Sequence, residues 1–169
     1  RRSVIEEYEA VCTSAGAHAG IVDLSTFGVA SAVLAGTTAP AGVDWLLVNI
    51  APAWASIAVL HGPDLRFFRS RSSEGEGTLG DLVHQTAMYY EDRLKGAGFG
   101  RILLCGTSSL DQQQAEDLHH LRGILEERLS RPIESVDPTT AATFTDRITA
   151  APSLLDVLAP LVGVLLREQ

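Results

Sequence analysis

Three runs of strand-forming residues occupy positions 44–69, where the sequence reads DWLLVNIAPAWASIAVLHGPDLRFFR. The runs are Trp45 to Ile50, Ala53 to Leu60 and Leu65 to Arg69, and the breaks between them are short and contain proline or glycine. Because such short breaks join neighbouring strands, the stretch predicts an antiparallel three-stranded meander. The second run mixes small and apolar residues, as is typical of a strand covered on both faces. We therefore expect helices to pack on this sheet.

Helices and further strands flank the meander in an alternating order. The patterns predict helices over 3–15, 25–34, 79–94 and 109–129, with Ser25 and Ser109 as caps, and strands over 21–24, 101–106 and 132–136. The last segment, 154–166, is apolar on nearly every side and predicts a buried final helix. This order of elements indicates an α/β protein.

The composition is that of a globular domain. Of the 169 residues, 46% are hydrophobic and 20% charged, so a chain of this length can bury a core without disulfide or metal support. The net charge of −8 argues against a nucleic-acid partner, because phosphates are bound by clustered lysine and arginine. No run approaches the roughly 20 apolar residues of a membrane-spanning helix, so no direct membrane insertion is expected.

The two cysteines and the start of the sequence bear on cellular context. Cys12 falls in a helical pattern and Cys105 ends an apolar run, which favours buried, reduced thiols and is compatible with the cytosol. No apolar signal-peptide core follows Arg1. Because a helix begins at once and without a methionine, we expect the sequence to be a fragment of a longer protein.

A glycine pattern at 75–80, GEGTLG, matches the dinucleotide fingerprint G-x-G-x-x-G. In a Rossmann unit those glycines directly follow a buried parallel strand, whereas here the polar residues 69–74 intervene. No strand ending in an acidic residue follows about 20 residues later. A Rossmann-like cofactor module is therefore kept as an alternative, and a polar loop is the simpler interpretation.

The better candidate for nucleotide binding is the loop Gly106, Thr107 and Ser108, which lies between a predicted strand and a predicted helix. Backbone N–H groups at such a position can receive a phosphate. The alternative is a loop whose Ser109 caps the helix, and capping alone explains these residue types.

Other candidate chemistry is absent from the pattern. His119 and His120 are adjacent on a predicted helix and so point about 100° apart, which does not suit one metal ion. Cys105 ends an apolar strand and suits packing better than nucleophilic catalysis. No G-x-S-x-G elbow occurs. The sequence predicts neither a catalytic residue nor a metal site.

Several segments, taken in order, resemble the PilM family of the actin-like ATPase superfamily, to which FtsA and GspL also belong. The most specific stretch, VIEEYEAVCTSAGAHAGIVDLSTF at 4–27, is similar to the family's helix ending in Ala-Gly followed by Val-Asp-x-x-x-Phe. The strands of 44–69, the strand and loop at 102–106 and a closing helix at 160–167 follow in the family's order. The resemblance implies a helix–strand–helix remnant of a first half over 1–36. Over 37–169 it implies a ribonuclease-H-like subdomain, a mixed sheet flanked by helices.

Departures from the family pattern imply that the chain is not an enzyme. The phosphate-binding hairpin of active members reads Asp-x-Gly, where this sequence has Asn49-Ile50-Ala51-Pro52. An aspartate there orients magnesium or water and a glycine lets the backbone approach the phosphates, and Asn49 and Ala51 do neither job well. Thr107 stands where relatives have a second glycine. We expect no cofactor; ATP binding by the full-length protein, as a truncated actin-like ATPase or kinase, is the alternative.

The resemblance also implies partners and a location. Members of the family grip cytoplasmic tails of PilN-like inner-membrane proteins in type IV pilus or type II secretion platforms. A cytoplasmic scaffold peripheral to the inner membrane is therefore expected, and an oligomer is compatible with it. Residues 3–24 would carry the edge of the tail-binding groove.

Overall fold

In the computed structural model of this chain, the described residues are 2–36, 42–72, 77–142 and 151–167. The helices are α1 (Arg2–Ser14), α2 (Ser25–Ala35), α3 (Leu79–Leu94), α4 (Gln112–Leu129) and α5 (Pro152–Arg167). The strands are β1 (Asp44–Ala51), β2 (Trp54–His61), β3 (Asp64–Ser72), β4 (Arg101–Cys105) and β5 (Ile133–Ser135). Short 3₁₀ turns lie at Thr107–Ser109 and Pro138–Thr140.

The strands pair in one mixed sheet of order β3-β2-β1-β4-β5. Strand β2 is antiparallel to both β1 and β3, whereas β4 runs parallel to β1 and β5 runs parallel to β4. The predicted meander is confirmed, and so is the predicted α/β fold with a mixed sheet flanked by helices.

Strand β1 is the centre of the core because both of its faces are covered. Leu46 and Val48 lie on one face in a cluster with residues of α3 and α4. Trp45 and Leu47 lie on the other face, against α2 and α5. All four side chains are buried, which explains why β1 reads as a continuous apolar run instead of an alternating one.

Helices α2 and α5 cross at two glycines. A Cβ atom on Gly163 would lie 1.7 Å from the carbonyl oxygen of Gly28, so only glycine permits this approach. At the end of α5, Arg167 forms an ion pair with Asp23 and its Nε donates to the Ser31 hydroxyl at 2.6 Å. The residues before α2 are thereby tied to the last turn of α5.

A partly buried hydrogen-bond network holds the first residues of β1 in place. The Asp44 carboxylate accepts from the Tyr90 hydroxyl and lies 2.6 Å from Nδ1 of His61. Burial raises the pKa of the Asp44 carboxyl, but the hydrogen bonds from Tyr90 and His61 outweigh it, so that pKa lies below its usual value. Burial, reinforced by the bond to Asp44, raises the pKa of Tyr90 to about 12.

Two predictions about elements were wrong. Residues 17–24 form no strand, because no described strand lies beside them to pair with, and Ile21 is 75% exposed. Helix α5 is not buried all round: it packs against α2 through Ala159, Val162 and Gly163, and no described residue covers its opposite face. That face carries the exposed side chains Leu154, Val157, Leu161, Val164 and Leu165. The division of the chain at residue 36 stays a prediction.

Candidate functional site

The candidate loop at Gly106, Thr107 and Ser108 and the hairpin after Asn49 lie side by side at the carboxyl ends of β4 and β1. Because β1 and β4 are parallel neighbours, Asn49 pairs with Cys105 and the two strands end side by side. The loop that follows β4 therefore lies against the hairpin that follows β1. Gly106 has φ 88°, and a Cβ there would lie 1.9 Å from the carbonyl oxygen of Ile50, so this contact requires glycine.

Asn49 belongs to a buried polar cluster on the α2 side of the sheet. Its Nδ2 donates to the hydroxyls of Ser25 and Thr26, both at 3.2 Å. The Thr26 hydroxyl also lies 2.5 Å from that of Ser56. Asn49, Thr26 and Ser56 are each at most 3% exposed. The amide of Asn49 is thus committed to the start of α2 and is not presented to a ligand at the strand ends.

The hairpin after β1 contains a proline in its turn. Its turn is Pro52 and Ala53, and Pro52 has no backbone N–H to donate. The hairpin therefore has one backbone donor fewer than a turn without proline, and the Asn49 amide points away from it.

The loop after β4 differs from its prediction in how it leads into α4. Ser109 does not cap the helix; its hydroxyl donates to the carbonyl of Gly106 at 2.6 Å, which closes the 3₁₀ turn. The cap is Asp111, whose carboxylate accepts from the N–H of Gln114 at 2.8 Å, and the Gln114 side chain in turn accepts from the N–H of Asp111. Helix α4 therefore begins at Gln112, after the 3₁₀ turn, and not directly after Ser109. The capping box at Asp111 satisfies two backbone N–H groups there.

The donors of the 106–108 loop are occupied by a carboxylate of the chain itself. The Gly106 N–H donates to Oδ1 of Asp156 at 2.7 Å and the Ser108 N–H donates to Oδ2 at 2.8 Å. The Thr107 hydroxyl donates to Oδ2 at 3.3 Å. Burial raises the pKa of Asp156, but the hydrogen bonds from Ser108 and Gly106 outweigh it, so this pKa is lowered and the group is ionised at neutral pH.

Asp156 is the site residue that sequence reasoning missed. A signal was present, because Asp156 is the only charged residue between Pro152 and Leu166 in an otherwise apolar helix. Its position next to Gly106, Thr107 and Ser108 means that the candidate nucleotide-binding residues already hold an anion. Whether they also bind a nucleotide stays a prediction.

A cleft of about 800 Å³ lies on the other face of the sheet, between the β1–β2 hairpin, the start of α3 and α4. Its walls include Trp54, Leu118 and two arginines, Arg71 and Arg128. Gly77 to Gly80, the described part of the G-x-G-x-x-G pattern, also line it; Gly75 and Glu76 lie outside the described residues. The preceding strand β3 is an antiparallel edge strand, which does not meet the requirement of a Rossmann unit.

Both cysteines are free thiols. Cys105 is buried, and burial raises its pKa, so it is not a reactive thiolate. Cys12 is half-buried on α1. Among the described residues, no group of three His, Cys, Asp or Glu side chains is placed to hold a metal ion, and no helix is long and apolar enough to cross a bilayer.

Residues 3–24 form an exposed arm. Helix α1 has no buried residue, and Tyr8 and Val11 are each 67% exposed. The exposed apolar residues Ile21, Val22 and Leu24 follow it. At about 100° per residue, the apolar side chains Ile5, Tyr8 and Val11 fall in one arc around α1, and the acidic side chains Glu6, Glu7 and Glu9 fall in the adjoining arc.

The described part of the chain is a mixed five-stranded sheet with helices packed on both faces, and solved structures share this fold. A chain of the solved PilM-PilN type IV pilus biogenesis complex superposes with a TM-score of 0.65 and 15% identity, over 88% of this chain and 52% of that chain. A Bacteroides thetaiotaomicron protein with an actin-like ATPase fold and unknown function gives a TM-score of 0.44 and 11% identity, over 65% of this chain and 38% of that one.

These similarities concern the fold. This chain spans about half the length of the PilM-PilN complex chain to which it is similar. No protein-family model and no curated protein sequence matches it.

Proposed function

We propose that this chain is part of a non-catalytic, actin-like scaffold in an inner-membrane assembly platform for type IV pili or type II secretion. In this role it works at the cytoplasmic side of the membrane and binds the cytoplasmic tail of a PilN-like protein. The similarity in fold to a chain of the PilM-PilN complex supports the choice of machine and partner.

The observation that carries the non-catalytic role is that the polar groups at the carboxyl ends of β1 and β4 bond to other residues of the chain. Asn49 is buried and bound to Ser25 and Thr26, and the donors of the 106–108 loop are bound to Asp156. An ATPase needs a carboxylate or equivalent group to place magnesium or water and free donors for the phosphates. Here the inward-facing amide of Asn49 stands in place of the carboxylate, and the donors of the 106–108 loop are already bonded to Asp156.

The charge of the arm supports its role in tail binding. Cytoplasmic segments next to membrane spans carry an excess of lysine and arginine. The arm presents Glu7 and Glu9 beside the exposed apolar residues Tyr8 and Val11. It therefore offers both the apolar contact and the negative charge that a basic, partly apolar tail requires.

The test is fluorescence anisotropy with a labelled peptide that has the cytoplasmic-tail sequence of the PilN-like protein from the same organism. Tyr8→Asp on the arm should weaken binding by roughly tenfold or more, as expected when a central aromatic contact is lost. Met88→Asp is the matched control, because Met88 is a 49% exposed apolar residue on α3. Equal affinities for the two variants, or no binding by the unmodified chain, would overturn the proposal.

A further inference from the structure

Strand β3 lies at an open edge of the sheet. The sheet order places it beside β2 only, and no strand of the described part of the chain lies beyond it. It spans nine residues, whereas β5 at the opposite edge spans three. An edge strand of this length presents a row of backbone N–H and C=O groups to which another extended segment can add.

A bulge blunts only the first part of this edge. The pairing with β2 shifts register between Val59 and Leu60, which leaves Arg66 as an extra residue on β3. From Phe67 to Ser70 the pairing with β2 is regular. Residues 67–70 are therefore the part of the edge that is suited to receive a strand.

Helix α3 packs beside this stretch on one face of the sheet. The ring of Phe67 lies 5.0 Å from the ring of Tyr89, and Nη1 of Arg69 donates to Oε1 of Gln85 at 3.3 Å. Gln85 and Tyr89 are four residues apart and so lie on the same side of α3. Because Tyr89 is exposed, a strand added at the edge would place side chains against both rings and the guanidinium.

Strand β3 is basic although the chain as a whole is acidic. It holds three of the 13 lysine and arginine residues, whereas the net charge of the chain is −8. Arg66 interacts with the carboxylate of Asp44 and Arg71 with that of Asp81, so part of their charge is offset. Arg69 bonds to a neutral amide. A guanidinium carries five N–H groups, so Arg69 can also bind a carboxylate.

We propose that the edge of β3 at residues 67–70 is a docking site for an extended, acidic segment of a partner protein, which adds to the sheet as an additional strand. Backbone hydrogen bonds supply most of the affinity, and side chains at alternate positions supply the specificity. On the α3 side, an apolar side chain of the partner faces Phe67 and Tyr89. Two positions along the partner strand, a carboxylate faces Arg69.

The same charges disfavour a second copy of this chain at the edge. Two β3 strands side by side would bring arginines against arginines, and like charges on neighbouring strands are destabilising. A basic tail of the kind proposed for residues 3–24 is disfavoured for the same reason. The edge therefore fits a different partner, and the two proposals rest on different surfaces.

The test is amide hydrogen exchange and a ¹⁵N chemical-shift titration with the peptide Val-Thr-Glu-Thr-Val-Thr-Glu-Thr, which presents valine and glutamate alternately on one face in either direction. At saturation, every second amide of 67–70 should exchange about tenfold more slowly, because only the outward-facing amides gain a hydrogen bond. Saturable shifts of Gln85 and Tyr89 should accompany this protection. A peptide with lysine in place of glutamate should bind roughly tenfold more weakly.

Arg69→Glu should reverse this preference, with roughly tenfold weaker binding of the glutamate peptide and tighter binding of the lysine peptide. Arg131→Glu is the matched control, because Arg131 is an exposed arginine just before β5, the opposite edge strand. Both substitutions lie at exposed positions, so both variants should fold.

Three results would overturn the proposal. The first is no protection, or equal protection of all amides of 67–70, with the glutamate peptide present. The second is an unchanged preference between the two peptides in Arg69→Glu. The third is equal competition by a single-stranded oligothymidine, which would show a site for any polyanion. The experiment does not involve the tail peptide, so this proposal and the proposed function fail independently.

Discussion

The Asp156 carboxylate lies 2.7 Å from the backbone nitrogen of Gly106, a residue 50 positions earlier in the sequence. This contact occupies a backbone donor of the loop after β4, and it ties the last helix to the centre of the sheet. Because the carboxylate is partly buried and accepts two backbone N–H bonds, its loss should lower the stability of the fold.

Asp156→Asn should lower the free energy of unfolding at neutral pH by about 1–3 kcal/mol, the usual cost of removing a charged hydrogen-bond acceptor. The free energy of unfolding of this variant should also fall less than that of the unmodified chain as the pH is lowered. The pKa of Asp156 in the folded chain is lowered from 3.8, so its contribution is complete above that value and is lost as the pH falls through the folded pKa. Urea unfolding at a series of pH values measures both effects.

Asp44→Asn provides the comparison for that series, because the pKa of Asp44 is also lowered and Asp44 lies at the opposite end of β1. The two substitutions should act additively, since they share no partners. An Asp156→Asn chain with the same acid dependence as the unmodified chain would show that the carboxylate has no special role in the fold.

Gly163→Ala should be strongly destabilising. The added Cβ would lie 1.7 Å from the Gly28 carbonyl oxygen and 2.9 Å from the Ala32 nitrogen, so α2 and α5 must move apart. Overpacking of this kind costs about 1–3 kcal/mol or more. Thermal and urea unfolding measure the change.

Gly123→Ala is the matched control. Gly123 lies within α4, and a Cβ there would meet nothing within 4 Å. Because alanine favours a helix over glycine, this variant should be more stable by about 0.5–1 kcal/mol. If the two variants lose stability equally, the glycine contact between α2 and α5 is not the reason for the effect.

Tyr90→Phe should cost about 1 kcal/mol at neutral pH, because it removes the hydrogen bond to Asp44. The pKa of Tyr90 is raised from 10.0 to about 12. The stabilisation is therefore present below the unfolded pKa and is lost as the pH rises from about 10 to about 12. Tyr90→Phe should lack this alkaline loss, whereas Tyr89→Phe, at a 44% exposed neighbour, should retain it in urea unfolding.

Asn49→Asp should not create an ATP site. The side chain lies in a buried cluster with Ser25, Thr26 and Ser56, and a charge there costs about 1–3 kcal/mol or more in stability. Calorimetry with magnesium and ATP should show no heat of binding for this variant, as for Asn49→Ala. Binding gained by Asn49→Asp alone would show that the amide was the main obstacle to nucleotide binding.

Local sequence patterns predicted the elements that depend on neighbours in the chain. The strands of 44–69 follow from apolar runs and short turns, and α3 follows from its buried face, with Leu82, Val83, Thr86 and Tyr90. The sequence also predicted where the hairpin after Asn49 and the loop at Gly106 lie, because each comes directly after an apolar strand.

Contacts between distant residues could not be predicted in the same way. The one-sided burial of α5 depends on its crossing with α2 at Gly28 and Gly163, and no periodicity specifies that partner. Asp111 displaced Ser109 as the cap because the 3₁₀ turn uses the Ser109 hydroxyl internally. Apolar content at 21–24 suggested a strand, but a strand also requires a neighbour for its backbone, and none lies there among the described residues.

The most direct test of the scaffold role is a ¹⁵N chemical-shift titration of the chain with the PilN-like tail peptide. The proposed function predicts saturable shifts concentrated in residues 3–24, and none at Gly106 or Ser108. No shifts at residues 3–24, or shifts confined to the 106–108 loop, would contradict a tail-binding scaffold and return attention to a small ligand of that loop.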